Sequence, residues 1–138
     1  MSAPRVSAGL RTLIVRRARN CCEYCLIPDD VLFVPHEPDH IIAEQHGGQT
    51  VSENLALACW RCNRYKGTNL ASIDPQSGAR EFLFDPRRDR WADHFRLEVA
   101  RIVGISAKGR ATATLLRFNA PDRLELRERL VVEGRFPG

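Results

Sequence analysis

The chain has 138 residues, 21 Lys and Arg against 17 Asp and Glu for a formal charge of +4, and 43% hydrophobic against 28% charged residues. This length holds one domain, or one domain with a small appendage, and the composition excludes a disordered chain. No apolar run approaches the ~20 residues that a bilayer span needs. Residues 1–20 lack the apolar core and small-residue cleavage site of a secretory leader, so a cytoplasmic location is expected.

Lys66 and Lys108 are the only lysines, so nineteen of the 21 basic residues are arginine, whose planar fork of donors suits phosphate. With a pI near 9.0 this points toward nucleic acid, against the plainer alternative of solvated surface charge.

In chain order, residues 4–20 have Leu10, Leu13, Ile14 and Arg17 at helical spacing, with Ser7 placed to cap. Arg11, Arg16, Arg17 and Arg19 give this N-terminal helix (segment 1–20) a basic face that meets phosphates or simply water. In the second segment, 21–70, residues 31–34 predict a strand and residues 39–42 another extended piece. Pro38 between them cannot donate to a ladder and marks an edge or a bulge. Residues 45–49 form a loop, and residues 59–66 a short helix that Gly67 ends. The third segment, 71–138, has turns at residues 74–75 and 77–78 and a short strand over 81–84. A basic, aromatic stretch follows over 87–95, with strand character over 96–106. A helix or strand covers 109–118 with Ser106 as candidate cap, and a helix follows Pro121 over 122–132. This segment is expected to pack on the second as an α/β extension.

Four of the five cysteines fall in two C-x-x-C pairs, Cys22 with Cys25 and Cys59 with Cys62, 33 residues apart. Four thiolates are the complement of a closed tetrahedral zinc site, and such a site contributes folding free energy to a small domain. The rival is redox chemistry in one pair, but neither sits in a βαβ context. Cys21 is left as a bystander.

Between the knuckles, and directly after the second, lie residues suited to phosphodiester hydrolysis. That reaction needs a general base, charge stabilisation at phosphorus and help for the leaving oxygen. His40 can act as the base near neutral pH. Asp39 and Asn63 offer hard oxygen ligands for Mg²⁺ or Mn²⁺.

The order DHII, HGG, ENLALAC, RCNRYKG closely resembles the HNH endonuclease family, over residues 22–70. The stretch DPRRDRWADHF is similar to a continuation found in one bacterial branch. The resemblance implies an α+β fold: a small ββα-metal core with a four-cysteine zinc site (Cys22, Cys25, Cys59, Cys62), in which Asn63 rides on the helix. It implies His40 as general base, Asp39 as metal ligand and Asn54 as the residue orienting loop and base. Asn63 completes the ion site in place of the final motif histidine, an H-N-N form. Pro38 departs from the family, which usually has an apolar residue there.

Lys66 follows Asn63 at i+3 and is expected to meet a phosphate. Arg61, Arg64, His36 and His46 are further candidate nucleic-acid contacts, as are Arg87, Arg88 and Arg90; contacts of this kind position DNA without reading its sequence. The plainer readings are a solvated Glu37, a packing role for Trp60 at the knuckle, and a satellite core of His94 with Trp91 and Phe95. The expected function is a metal-dependent DNA endonuclease, nicking with weak specificity and leaving 5′-phosphate and 3′-hydroxyl ends. The alternative is a non-catalytic zinc module that binds nucleic acid or protein.

Overall fold

A computed structural model describes residues 6–138; the first five residues of the expected N-terminal segment lie outside it. Helix α1 (Ala8–Arg17) starts where Ser7 Oγ accepts from Leu10 N at 3.2 Å and ends on Arg16 and Arg17, which suit the negative helix end. Strand β1 (Glu37–His40) pairs antiparallel with β2 (Leu55–Ala58), Asp39 opposite Ala56 and His40 opposite Leu55. Helix α2 (Trp60–Lys66) follows at once, with Cys59 as its cap.

All of β2 is buried, and its period of two explains how. Leu55 and Leu57 pack with Ile14 of α1, whereas Ala56 and Ala58 join the main core around the cysteines. Arg17 fastens α1 to the entry of β2, donating to Ser52 O at 3.0 Å and Leu55 O at 2.7 Å. Full burial of a side chain such as Ile14 contributes about 1.5–3 kcal/mol.

The rest of the chain forms hairpins and helices over the same core. Strands β3 (Ala71–Ile73) and β4 (Arg80–Phe82) make one hairpin. Helix α3 (Trp91–His94) leads into β5 (Phe95–Glu98), which pairs with β6 (Arg101–Gly104). Helices α4 (Ala107–Leu115) and α5 (Pro121–Val132) close the order. Phe84, Phe95, Ile102, Leu116, Phe118 and Leu130 share one cluster with Cys22, Cys25, Cys59 and Cys62, so residues 71–138 supply much of the core around the cysteines. Gly109 is needed where α4 crosses α3: a Cβ there would stand 2.0 Å from His94 O.

The fold is α+β, but several elements differ from expectation. Residues 31–34 are not a strand. Asp29–Val31 is a 3-10 turn whose Asp29 Oδ1 accepts from His36 N at 2.6 Å, and no strand pairs with the segment. Val31 and Leu32 lean on the core while Phe33 is fully exposed, so the apolar run divides between inside and outside. The strand expected over 81–84 ends at Phe82, because Leu83 and Phe84 turn into the core. The strand over 96–106 is two, turned at Val99 (φ 58°). Residues 107–115 are helical, with Ser106 Oγ accepting from Gly109 N at 2.9 Å. Pro38 sits inside β1 opposite Leu57; in a two-stranded sheet every strand has a free edge, so its missing N–H is tolerated.

Candidate metal centre and catalytic groove

The two C-x-x-C turns come from opposite ends of the segment and meet in the core. The four Sγ atoms lie within 4.8 Å of one another, all four residues buried. Tetrahedral bonds of about 2.3 Å to zinc put sulfurs roughly 3.8 Å apart, and Cys25 and Cys59 stand 3.8 Å apart. Each knuckle turns an amide toward its first sulfur, Cys25 N to Cys22 at 3.5 Å and Cys62 N to Cys59 at 3.4 Å. Burial pushes the Cys22 and Cys62 thiols well up. Hydrogen bonds within the cluster, led by that with Cys22, pull Cys25 and Cys59 down. Four buried thiols so divided ionise together only against a cation, and the donor set fits zinc.

Arg123 of α5 closes this centre. It is 6% exposed, and its Nη2 lies 3.1 Å from Cys62 Sγ and 3.8 Å from Cys59 Sγ. Its Nη1 donates to Leu116 O at 2.5 Å and Arg117 O at 3.2 Å. Burial opposes its charge, but the sulfurs of Cys62, Cys25 and Cys59 outweigh that, and its pKa stands above the ordinary arginine value. Nothing in the knuckle spacing signals an arginine 61 residues beyond Cys62. Two further contacts tie residues 85–95 to the first knuckle: Arg87 pairs with Glu23, and Trp91 Nε1 donates to Tyr24 O at 2.8 Å.

At the far end of β1, Asp39, His40 and Asn63 line one open groove together with Glu44, Gln45 and Thr68. Alternation along β1 would send Asp39 and His40 to opposite faces, but the strand ends at His40 and both reach the groove. His40 Nε2 meets Thr50 Oγ1 at 2.9 Å and Glu44 Oε1 at 3.6 Å. Neither partner stands in a motif that the sequence offers. Asp39 Oδ2 is buried with no hydrogen-bond partner. Burial raises the Asp39 pKa, and the nearby Lys66 and His40 only partly oppose that. An orphaned carboxylate oxygen beside an amide side chain fits a small hard cation. The phenol oxygen of Tyr24, also buried and unpaired, has its pKa raised by burial and by the charge of Asp39.

The loop between the strands is stapled by Asn54. Its Oδ1 accepts from Ile42 N at 2.9 Å, and its Nδ2 donates to Ile42 O at 3.0 Å and Gln49 O at 2.9 Å. Gly48 lies so close beneath that a Cβ would fall 1.7 Å from Ile42 O.

The expected nucleic-acid contacts divide. Arg64 and His46 are exposed. Lys66 is turned inward: it is 2% exposed, donates to His40 O at 3.0 Å and lies 3.6 Å from Asp39 Oδ2, so the helix face that carries Asn63 uses this lysine to hold β1 rather than to meet phosphate. His36 is likewise buried, its Nε2 against Ile27 O at 2.9 Å, where it ties the first knuckle to β1. Arg61 is spent on Asp122 at 2.6 Å and on the Tyr65 and Trp60 rings. Trp60 itself is 41% exposed rather than packed inside the knuckle. His94 joins the main core edge-on to Phe84 instead of forming a satellite. Among the described residues, no helix is long and apolar enough to cross a membrane.

A family model described as HNH endonuclease matches residues 22–69, from the first knuckle through α2. No curated protein and no solved structure matches the chain.

Proposed function

Starting from an HNH endonuclease domain over residues 22–69, we propose that this protein is a metal-dependent endonuclease that hydrolyses DNA phosphodiester bonds, nicking one strand at a time with weak sequence specificity. One observation carries the reading: Asp39, His40 and Asn63 share one open groove, where a buried oxygen of Asp39 accepts no hydrogen bond.

In the tautomer that carries its proton on Nε2 and gives it to Thr50, the Nδ1 lone pair of His40 is the free base. It takes a proton from water as the water oxygen bonds to phosphorus. The bond from phosphorus to the 3′ oxygen breaks, and that oxygen takes a proton from solvent. The ends are a 5′-phosphate and a 3′-hydroxyl. Glu44 Oε1 lies 3.6 Å from the same Nε2 and sets a carboxylate beside the ring. Asp39 and Asn63 would hold a Mg²⁺ or Mn²⁺ ion, which supplies positive charge to the phosphate and the leaving oxygen. Asn54 keeps the loop, and with it Thr50, in register. The exposed Arg64 and Arg88 grip backbone phosphates. The cysteine centre holds α2 against the strands and takes no part in the reaction.

A non-catalytic zinc module is the second reading. Its supporting observation is Lys66, whose ammonium already lends Asp39 a counter-charge. Supercoiled-plasmid nicking with Mg²⁺, Mn²⁺ or a chelator, on the wild type and on His40→Ala of verified zinc content and fold, separates the two. Metal-dependent nicking lost in the variant supports the nuclease. Equal cutting by both removes His40 as the base, and no cutting with retained DNA binding favours the module.

A further inference from the structure

Beside the groove lies a second cavity, of about 250 Å³, that the reaction above does not use. Ile42 and Lys66 line this cavity, while their chain neighbours Ala43 and Gly67 line the groove, so the backbone sets the two sites side by side. Ile42, Leu70 and Phe82 line the cavity while 38%, 37% and 72% exposed. Apolar side chains gathered in a concave, polar-rimmed site mark a place where a ligand is received, whereas scattered ones need no explanation. The volume is below the ~300–1,000 Å³ of drug-sized sites, which suits one planar ring system and excludes a bulky apolar ligand. Phe82 presents an aromatic face, and every nucleobase has a matching one. Arg88 at the rim keeps a side chain 83% exposed and only loosely held by Asp85 at 3.9 Å, so it is free for the phosphate one nucleotide along. Asn69, whose Nδ2 is given to Lys66 O at 2.9 Å, keeps its carbonyl for a base edge.

We propose that this cavity receives an unstacked base of the strand being cut, next to the scissile phosphate, and that the substrate is therefore single-stranded or locally unpaired DNA. The proposal rests on the nuclease reading for the position of the phosphate. A base inside an intact duplex reaches the cavity only by leaving its stack, which costs a few kcal/mol and which an unpaired base does not pay.

The test is binding of labelled oligonucleotides of one sequence, single-stranded and duplex, to zinc-loaded protein without added Mg²⁺ or Mn²⁺, so that nothing is cut. Phe82 is exposed, so its replacement leaves the core intact. Loss of one base–aromatic stack lowers affinity by about 5-fold or more. The wild type is expected to bind the single strand more tightly than the duplex. Phe82→Ala loses about 5-fold or more on the single strand and much less on the duplex, and Phe82→Tyr restores binding. Equal affinities of Phe82→Ala and wild type for the single strand, or a wild type that favours duplex or binds neither, overturn the proposal. Plasmid nicking by wild type is scored separately. Nicking together with indifference to Phe82 sinks the cavity alone, while Phe82-dependent binding without any nicking sinks the nuclease and keeps the base site.

Discussion

Replacing Arg123 by Met removes a buried cation from the cysteine centre and keeps most of its apolar stem. Two contributions disappear together. One is the contact of Nη2 with Cys62 and Cys59, at 3.1 and 3.8 Å. The other is the pair of bonds from Nη1 to the carbonyls of Leu116 and Arg117 that finish α4. A unit charge pair at about 4 Å is worth roughly 4 kcal/mol at an effective dielectric of 20, before desolvation and the repulsion of zinc are subtracted. Breaking one side of a buried pair costs about 3–5 kcal/mol in measured cases, and loss of a partner outside the ligand shell costs about 10–100-fold in metal affinity. We therefore expect Arg123→Met to unfold about 3 kcal/mol more easily in the zinc-loaded state. We also expect it to yield zinc to a competing chromophoric chelator about 10–100 times more readily. Arg123→Lys, which keeps the charge and loses the fork, should fall between. A variant that loses stability but holds zinc as tightly as the wild type would refute the electrostatic argument and leave Arg123 a cap for α4.

Thr50→Val removes the hydroxyl at 2.9 Å from His40 Nε2 and keeps the shape; one hydrogen bond of about 1.4 kcal/mol predicts roughly 10-fold slower nicking. KM should be unchanged and Thr50→Ser active; an unaltered nicking rate in the valine variant would remove Thr50 from the orientation of the base. Asp74 is held by both Arg110 Nε and Nη2 at 2.9 Å, by Gln76 N and by Ser77 Oγ, and these partners, Arg110 first, keep its carboxyl well below the usual range. Its stabilisation is complete above the unfolded pKa of about 3.9 and fades as pH falls toward the depressed folded value. The urea midpoint of Asp74→Asn should thus lie below that of the wild type at pH 7, and the gap should shrink on acidification below about pH 4; a constant gap down to pH 2 would contradict the assignment.

Local chemistry was legible in the chain itself. Cysteine pairs announce their own site because a knuckle is a four-residue turn, and Ser7, Ser106 and Pro121 mark helix starts because capping acts within one turn. Asp39, His40 and Asn63 stood out by residue type and order, and one groove gathers the three. What required the tertiary structure is everything set by partners distant in sequence. An apolar run such as residues 31–34 becomes a strand only if another strand receives it, and here Asp29 and the core claim it first. Lys66 looks like a phosphate ligand on its helix until β1 is laid beside it and offers the His40 carbonyl. Arg123 looks like one more surface arginine until α5 is packed onto the cysteines. Charge, polarity and helical spacing are properties of a residue and its near neighbours. Which charges are buried, and against what, depends on contacts across 26 residues for Lys66 and 61 for Arg123, and only the closed core supplies those.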